Sequence, residues 1–177
     1  MSRNRVTEKD HGWKRIKGEI QAAQGSAVKV GILSDSEAHD DGTDMVMIAA
    51  ANEFGAEIPV TDKMRGFFAY KFGVNLKKST TKITIPERSF IRGGYDQNQR
   101  SLQRTKQRAW GLVLDGKLTA RGALGLIGEE HQGQVREFMI ALSEPGNSGL
   151  TERNKNSSNP LVNEGRLVDS VRWEYDE

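Results

Sequence analysis

Apolar residues along the chain fall into helical and strand periods that follow one another without an internal repeat. Trp13, Ile16 and Ile20, with Ala23 three further on, recur at spacings of three and four. That predicts a helix over about 8–24, stopped by Gly25. From Ala27 to Leu33 apolar residues alternate with small or polar ones, the mark of a strand with one buried face. After an Asp-Gly turn at 41–42, Asp44 is placed to cap a helix from Met45 to Phe54, closed by Gly55. This helix is apolar nearly all round, so it is expected in the core with Phe54 inward. Met64, Phe67, Phe68 and Phe72 mark one face of a short helix over 62–73. Lys82–Ile85 reads as a strand, ended by Pro86, which cannot donate to a ladder.

A long helix is predicted from about Ser89. Ile91, Tyr95, Leu102, Ala109 and Val113 form a thin stripe flanked by Arg and Gln, and Gly116 breaks it. Phe90 is expected to anchor its start, with Arg88 and Arg92, four apart, on a shared face. Thr119 can cap the next helix, whose continuous face runs through Ala120, Leu124, Ile127, His131, Val135, Phe138 and Leu142 to an end at Pro145-Gly146. Residues 147–159 are rich in Gly, Ser and Asn and are predicted to be mobile. Asn163 is expected to cap a single turn holding Leu167. Val171, Trp173 and Tyr175 then alternate on a last strand suited to pair with 28–33. The mixed order of elements predicts an α+β fold, a small antiparallel sheet flanked by helices with a long helical region. One domain is expected, ordered as an N-terminal helix (1–26), a core with a basic arm and the long helix (27–118), a helix (119–145), a mobile loop (146–160) and a closing turn and strand (161–177).

Composition sharpens this. A chain of 177 residues suits one domain that buries roughly 70% of its unfolded surface. Its apolar share of 36% and mean hydropathy of −0.64 are modest for a self-contained globule, so some faces are expected to need a partner. The absence of cysteine excludes disulfides, thiolate metal sites and cysteine nucleophiles, and fits assembly in a reducing cytoplasm. The basic start Met1–Arg5 has no apolar run behind it, so neither a signal peptide nor a membrane partner is expected. Net charge is only +2, yet residues 63–108 hold twelve Lys or Arg against Glu87 and Asp96. Such asymmetry points to acidic protein rims, to nucleic acid held without base reading, or to plain solvation.

Catalytic patterns are missing. His39-Asp40-Asp41 with Asp44 has the residue types of a cation site, but its spacing matches no binding loop and reads as a turn. His131 lies on an apolar helix face without a second ligand at helical spacing. Lys77-Lys78-Ser79-Thr80 lacks the glycines that precede the lysine of a phosphate loop, and Ser170 lacks a Gly-x-Ser-x-Gly setting. No enzyme, cofactor or metal is expected.

Three segments carry a family likeness. Val28–Leu33 with Ile48-Ala49-Ala50-Ala51-Asn52-Glu53-Phe54-Gly55 resembles the strand and hydrophobic-Ala-x-x-x-Glu-Phe-Gly helix of tailed-bacteriophage tail-completion and Mu-like virion morphogenesis proteins. Ile85-Pro86-Glu87-Arg88-Ser89-Phe90-Ile91-Arg92 is similar to their Ile-Pro-x-Arg-x-Phe-hydrophobic-Arg segment. Pro160-Leu161 through Ser170-Val171 resembles their Pro-Leu-x-Asp-Thr-Gly-x-Leu-x-x-Ser-Ile element, with Asn163-Glu164 where Asp-Thr is usual. The resemblance implies a head–tail joining (neck) protein, a ring of six or twelve copies between the connector on the portal side of the head and the tail terminator or tail tube. Genomic DNA would pass through its lumen without sequence-specific contact. It implies interface roles for Phe54, Arg88, Phe90, Arg92, Tyr95, Arg100, Leu102, Arg104 and Leu167, and DNA-path roles for Lys77, Lys78 and Lys82. A tail-terminating ring and a nucleic-acid-binding accessory protein are the alternatives.

Overall fold

The computed structural model describes residues 10–34, 36, 42–148, 151, 159–162 and 165–176. Its elements are α1 (Trp13–Ala23), β1 (Ala27–Ile32), α2 (Met45–Glu53), β2 (Ala56–Pro59), α3 (Asp62–Phe72), β3 (Lys82–Ile85), α4 (Phe90–Leu114), α5 (Ala120–Ala141), α6 (Arg166–Asp169) and β4 (Val171–Asp176). The fold is α+β, with two small sheets: β1 pairs with β4, as the alternating C-terminal pattern predicted, and β2 pairs antiparallel with β3. The pattern did not predict β2, whose Glu57-Ile58-Pro59 neither alternates nor is buried. The readings of 147–159 and His39–Asp41 fall largely or wholly outside the described residues, as does a cap at Asn163; α6 begins after Gly165.

Instead of one core, the chain has two compact units, each with its own apolar cluster. One comprises Met1–Gly31, Tyr95–Gln134 and Arg172–Glu177; the other comprises Ile32–Gly94 and Val135–Val171. Helices α4 and α5 are divided between them.

In the first unit Leu102, Ala109 and Val113 of α4 meet Ala123 and Ile127 of α5, with Val28, Trp110 and Leu118 against them. Gly116, at φ 77°, turns the chain after α4. Helix α1 buries no residue, so the face expected from Trp13 and Ile20 stays open to solvent. Two charged side chains four apart hold it instead. Arg15 donates to the carbonyls of Val113 (3.0 Å) and Leu114 (2.9 Å), and Glu19 accepts the Ala120 N–H (2.7 Å). A cation therefore closes the C-terminal end of α4 and a carboxylate the N-terminal end of α5, each at the dipole end that favours its sign. Trp173 lies flat on α5 where Gly128 leaves room: a Cβ there would come within 2.9 Å of the indole.

In the second unit Phe90, Val135, Met139, Leu161, Leu167, Val168 and Val171 enclose Met45 and Ala49 of α2. The start of α4 approaches α5 closely because Gly93 and Gly94 carry no side chain; a Cβ would strike Phe138 or the Val135 backbone. Arg136 ties α6 to β4 by donating to the carbonyls of Asp169 and Val171. Helix α2 departs from expectation. It is capped by Asp44 as predicted, but Met47 is exposed, and Phe54 is not inward: it is 73% exposed. Met45, Ala49 and Glu53 are buried and Ile48 packs partly buried against the cluster, so this largely apolar helix buries one side.

Candidate functional site

Apart from Val28–Gly31, the three motif-like segments lie in the second unit, and polar groups join Ile48–Gly55 to Ile85–Arg92. The carboxylate of Glu53, only 7% exposed, accepts the backbone N–H groups of Ile91 (2.9 Å) and Arg92 (3.1 Å). It thereby satisfies two open donors of the first turn of α4 and sets negative charge at the positive end of the helix dipole. The Arg88 N–H donates to the Asn52 carbonyl (2.6 Å), and the Ser89 hydroxyl lies 3.0 Å from the Glu53 carbonyl. Gly55, at φ 73°, lets the chain turn beside Glu87, where a Cβ would stand 3.1 Å from backbone atoms.

Arg88 is 5% exposed and spends its guanidinium inside the chain. Nε donates to the Pro145 carbonyl (2.8 Å), Nη1 to Asn52 Oδ1 (3.0 Å), and Nη2 to the Gly146 carbonyl (2.9 Å) and Asn147 Oδ1 (3.3 Å). Burial pulls its pKa below the usual arginine value, yet the fork of donors meets acceptors on every arm. Phe90 is fully buried beside it. Asn52, Glu53, Arg88, Ser89 and Phe90 thus form a clasp that fixes where α4 starts.

This corrects several expected interface roles. Arg88, Phe90, Leu102 and Leu167 are buried within the chain itself and have no surface to offer a neighbour. Arg88 precedes α4, so it shares no helix face with Arg92. Phe54, Arg92, Tyr95, Arg100 and Arg104 are exposed. Arg92 reaches back to Glu87 and Ser89, and the Ser89 hydroxyl, ahead of that arginine, holds the Glu87 carboxyl below its ordinary pKa.

In the first unit, Tyr95, Arg100 and Arg104 line an open depression of about 470 Å³ on α4, with Gln99, Gln103 and Lys106. Its chemistry suits carboxylate or phosphate oxygens, which guanidinium groups bind in pairs. Lys77, Lys78 and Lys82 belong to the second unit; Lys82 is paired with Glu57 at 2.5 Å, while Lys77 and Lys78 are exposed.

His131 on α5 meets the Tyr95 ring at 5.7 Å and has a buried Nε2 without a hydrogen-bond partner. Burial first, and the charge of Lys106 second, hold its pKa below the ordinary 6.5. A base with a depressed folded pKa binds its proton more readily when unfolded. Stability is therefore expected to fall as pH drops from 6.5 toward the folded value and to level off below it. Urea titrations of the native chain and His131→Gln across that window check this: the native chain should lose more, and equal losses would refute it.

Among the described residues no group of three or more His, Asp or Glu could hold a metal ion, and no helix is long and apolar enough to cross a membrane. The sequence reading missed Glu53 and Asn52 as clasp residues. A signal was present, because a carboxylate on the last turn of α2 opposes that helix's dipole and needs another partner. No family model matches the chain, and neither does any curated protein or solved structure.

Proposed function

We propose that this chain is a structural virion protein of a tailed bacteriophage, forming a ring at the head–tail junction that joins connector to tail around the DNA path. The observation that carries this reading is that two of the motif-like segments interlock in one clasp while the third packs into the same apolar cluster. Asn52–Gly55, Ile85–Arg92 and Leu161–Val171 are far apart in sequence, yet they build one unit that fixes the start of α4 and leaves Phe54 and Arg92 at the surface. Segments that resemble a family's motifs and also cooperate physically support the likeness better than the letters alone. The chain also exposes Trp13, Met47, Phe54, Tyr70 and Ile140, which this reading places at contacts with neighbours. Copies of itself, the connector-side proteins and the tail proteins are the partners this reading assigns.

An amber mutation in the corresponding phage gene tests it. Electron microscopy should find filled heads and finished tails unjoined, and a normal yield of joined, infectious particles would overturn the proposal. The depression bearing Arg100 and Arg104 favours a second reading, non-specific contact with nucleic acid. In that case duplex DNA binds the purified chain with an affinity that falls steeply with salt.

A further inference from the structure

Residues 56–85 form an arm that leaves and re-enters the second unit at one place, because Ala56 and Ile85 are register partners in the β2–β3 ribbon. Helix α3 lies between the strands. Thr61 caps its start by accepting the Met64 N–H (3.2 Å), and Gly73 ends it at φ 64°. Arg65 fastens the return, donating to the carbonyls of Leu76 (3.1 Å), Lys77 (2.7 Å), Lys78 (3.4 Å) and Thr80 (2.8 Å). The arm is held by its own contacts, yet α3 buries no residue. Phe67, Phe68 and Phe72 pack ring against ring at 5.6–6.1 Å, while Phe67 is 49% exposed and Tyr70 94%. Lys63, Phe67 and Tyr70, at i, i+4 and i+7, share the outward side, with Lys71 on its flank over the Phe67 ring. An ordered aromatic patch in water is stabilised when a partner covers it.

The same unit carries the complementary pattern. At the end of α5, Glu137, Ile140, Ala141 and, just past the helix, Glu144 follow at i, i+3, i+4 and i+7, all exposed, with Ile140 60% exposed. An apolar centre is bracketed by two carboxylates here, and by two ammonium groups on α3. Six Lys or Arg against two acids give the arm a formal charge of +4. A lipid surface or a nucleic acid would satisfy the lysines but would leave the acidic, apolar end of α5 unexplained. A second copy of the chain satisfies both.

We infer that the arm of one copy docks, through Phe67 and Tyr70 with Lys63 and Lys71 beside them, on the Glu137–Ile140–Ala141–Glu144 face of another copy. The two patches differ, so the contact is head-to-tail and repeats until it closes. This rests on the assembly reading above and names the contact that reading leaves open.

The chain has no cysteine, which allows a clean test. Full-length Tyr70→Cys and Ile140→Cys proteins, oxidised together, should form a disulfide-linked dimer about tenfold more abundantly than either oxidised alone. Lys71→Glu in the first protein, or Glu137→Lys in the second, should lower the yield about tenfold, and the two reversals together should restore it. Both cysteine sites are exposed, and circular dichroism checks that each variant folds. A mixture that cross-links no better than its components overturns the contact, whether or not anionic phospholipid vesicles or DNA capture the arm. If light scattering shows rings but no cross-link forms, the docking is wrong and the assembly reading stands. If the cross-link forms and the reversals rescue each other, while the amber phage still joins heads to tails, the docking stands and the virion role fails.

Discussion

Arg88→Ala should lower the stability of the chain by about 3–4 kcal/mol, read as a large drop in the urea midpoint. The substitution strips donors from the Pro145 and Gly146 carbonyls and from Asn52 Oδ1, all on a side chain that is nearly fully buried. Pro145 and Gly146 are exposed and can turn to water, so the loss comes from the hydrogen bonds of a buried charged fork, about 1.5–3 kcal/mol, and from the packing of its aliphatic stem. Arg88→Lys should recover less than half of the loss, because a single ammonium cannot reach acceptors spread around a planar fork. Arg92→Ala is the contrasting control. That guanidinium is solvent-exposed and pairs with an exposed Glu87, so its removal should leave the urea midpoint nearly unchanged. Equal effects at 88 and 92 would mean that Arg88 does not hold the clasp.

Glu53→Ala should come next, at about 2–4 kcal/mol, with Glu53→Gln at roughly half of that. The alanine leaves the Ile91 and Arg92 amides without acceptors at a buried helix start, whereas the glutamine carbonyl can still serve one of them. Amide hydrogen exchange gives a readout that general destabilisation does not mimic. Protection at residues 91 and 92 should fall more than protection in the middle of α4, and uniform loss along α4 would refute the capping role.

How much of this could be read in advance divides along a physical line. Asp44, Gly73, Gly116 and Thr119 announce helix ends through side-chain acceptors or left-handed turns, and those boundaries came out close to expectation. Periodicity located α4 and α5 and the buried positions Ala120, Ile127 and Val135, because repeated burial on one side of a helix leaves a period in the letters; it passed over Ala123 and Met139. What periodicity lacks is knowledge of which faces meet. Phe54, Trp13 and Met47 look like core residues by type, yet none of the described residues buries them. Arg88 looks like a surface residue by type, yet its partners lie in segments up to 59 positions away. Two clusters in place of one core have the same origin: α4 and α5 carry apolar stripes along their whole length, and no local signal divides those stripes between units. The motif segments contain the clasp residues, but their letters could not separate residues that build the clasp from those left on the outside.

The pairing of Ala56 with Ile85 has one more consequence. Because the thirty residues from Ala56 to Ile85 start and finish at a shared doorway, their number and make-up can drift without disturbing Glu53, Arg88 or Phe90. Evolution can therefore lengthen, shorten or re-letter the arm while the frame that carries it stays as it was.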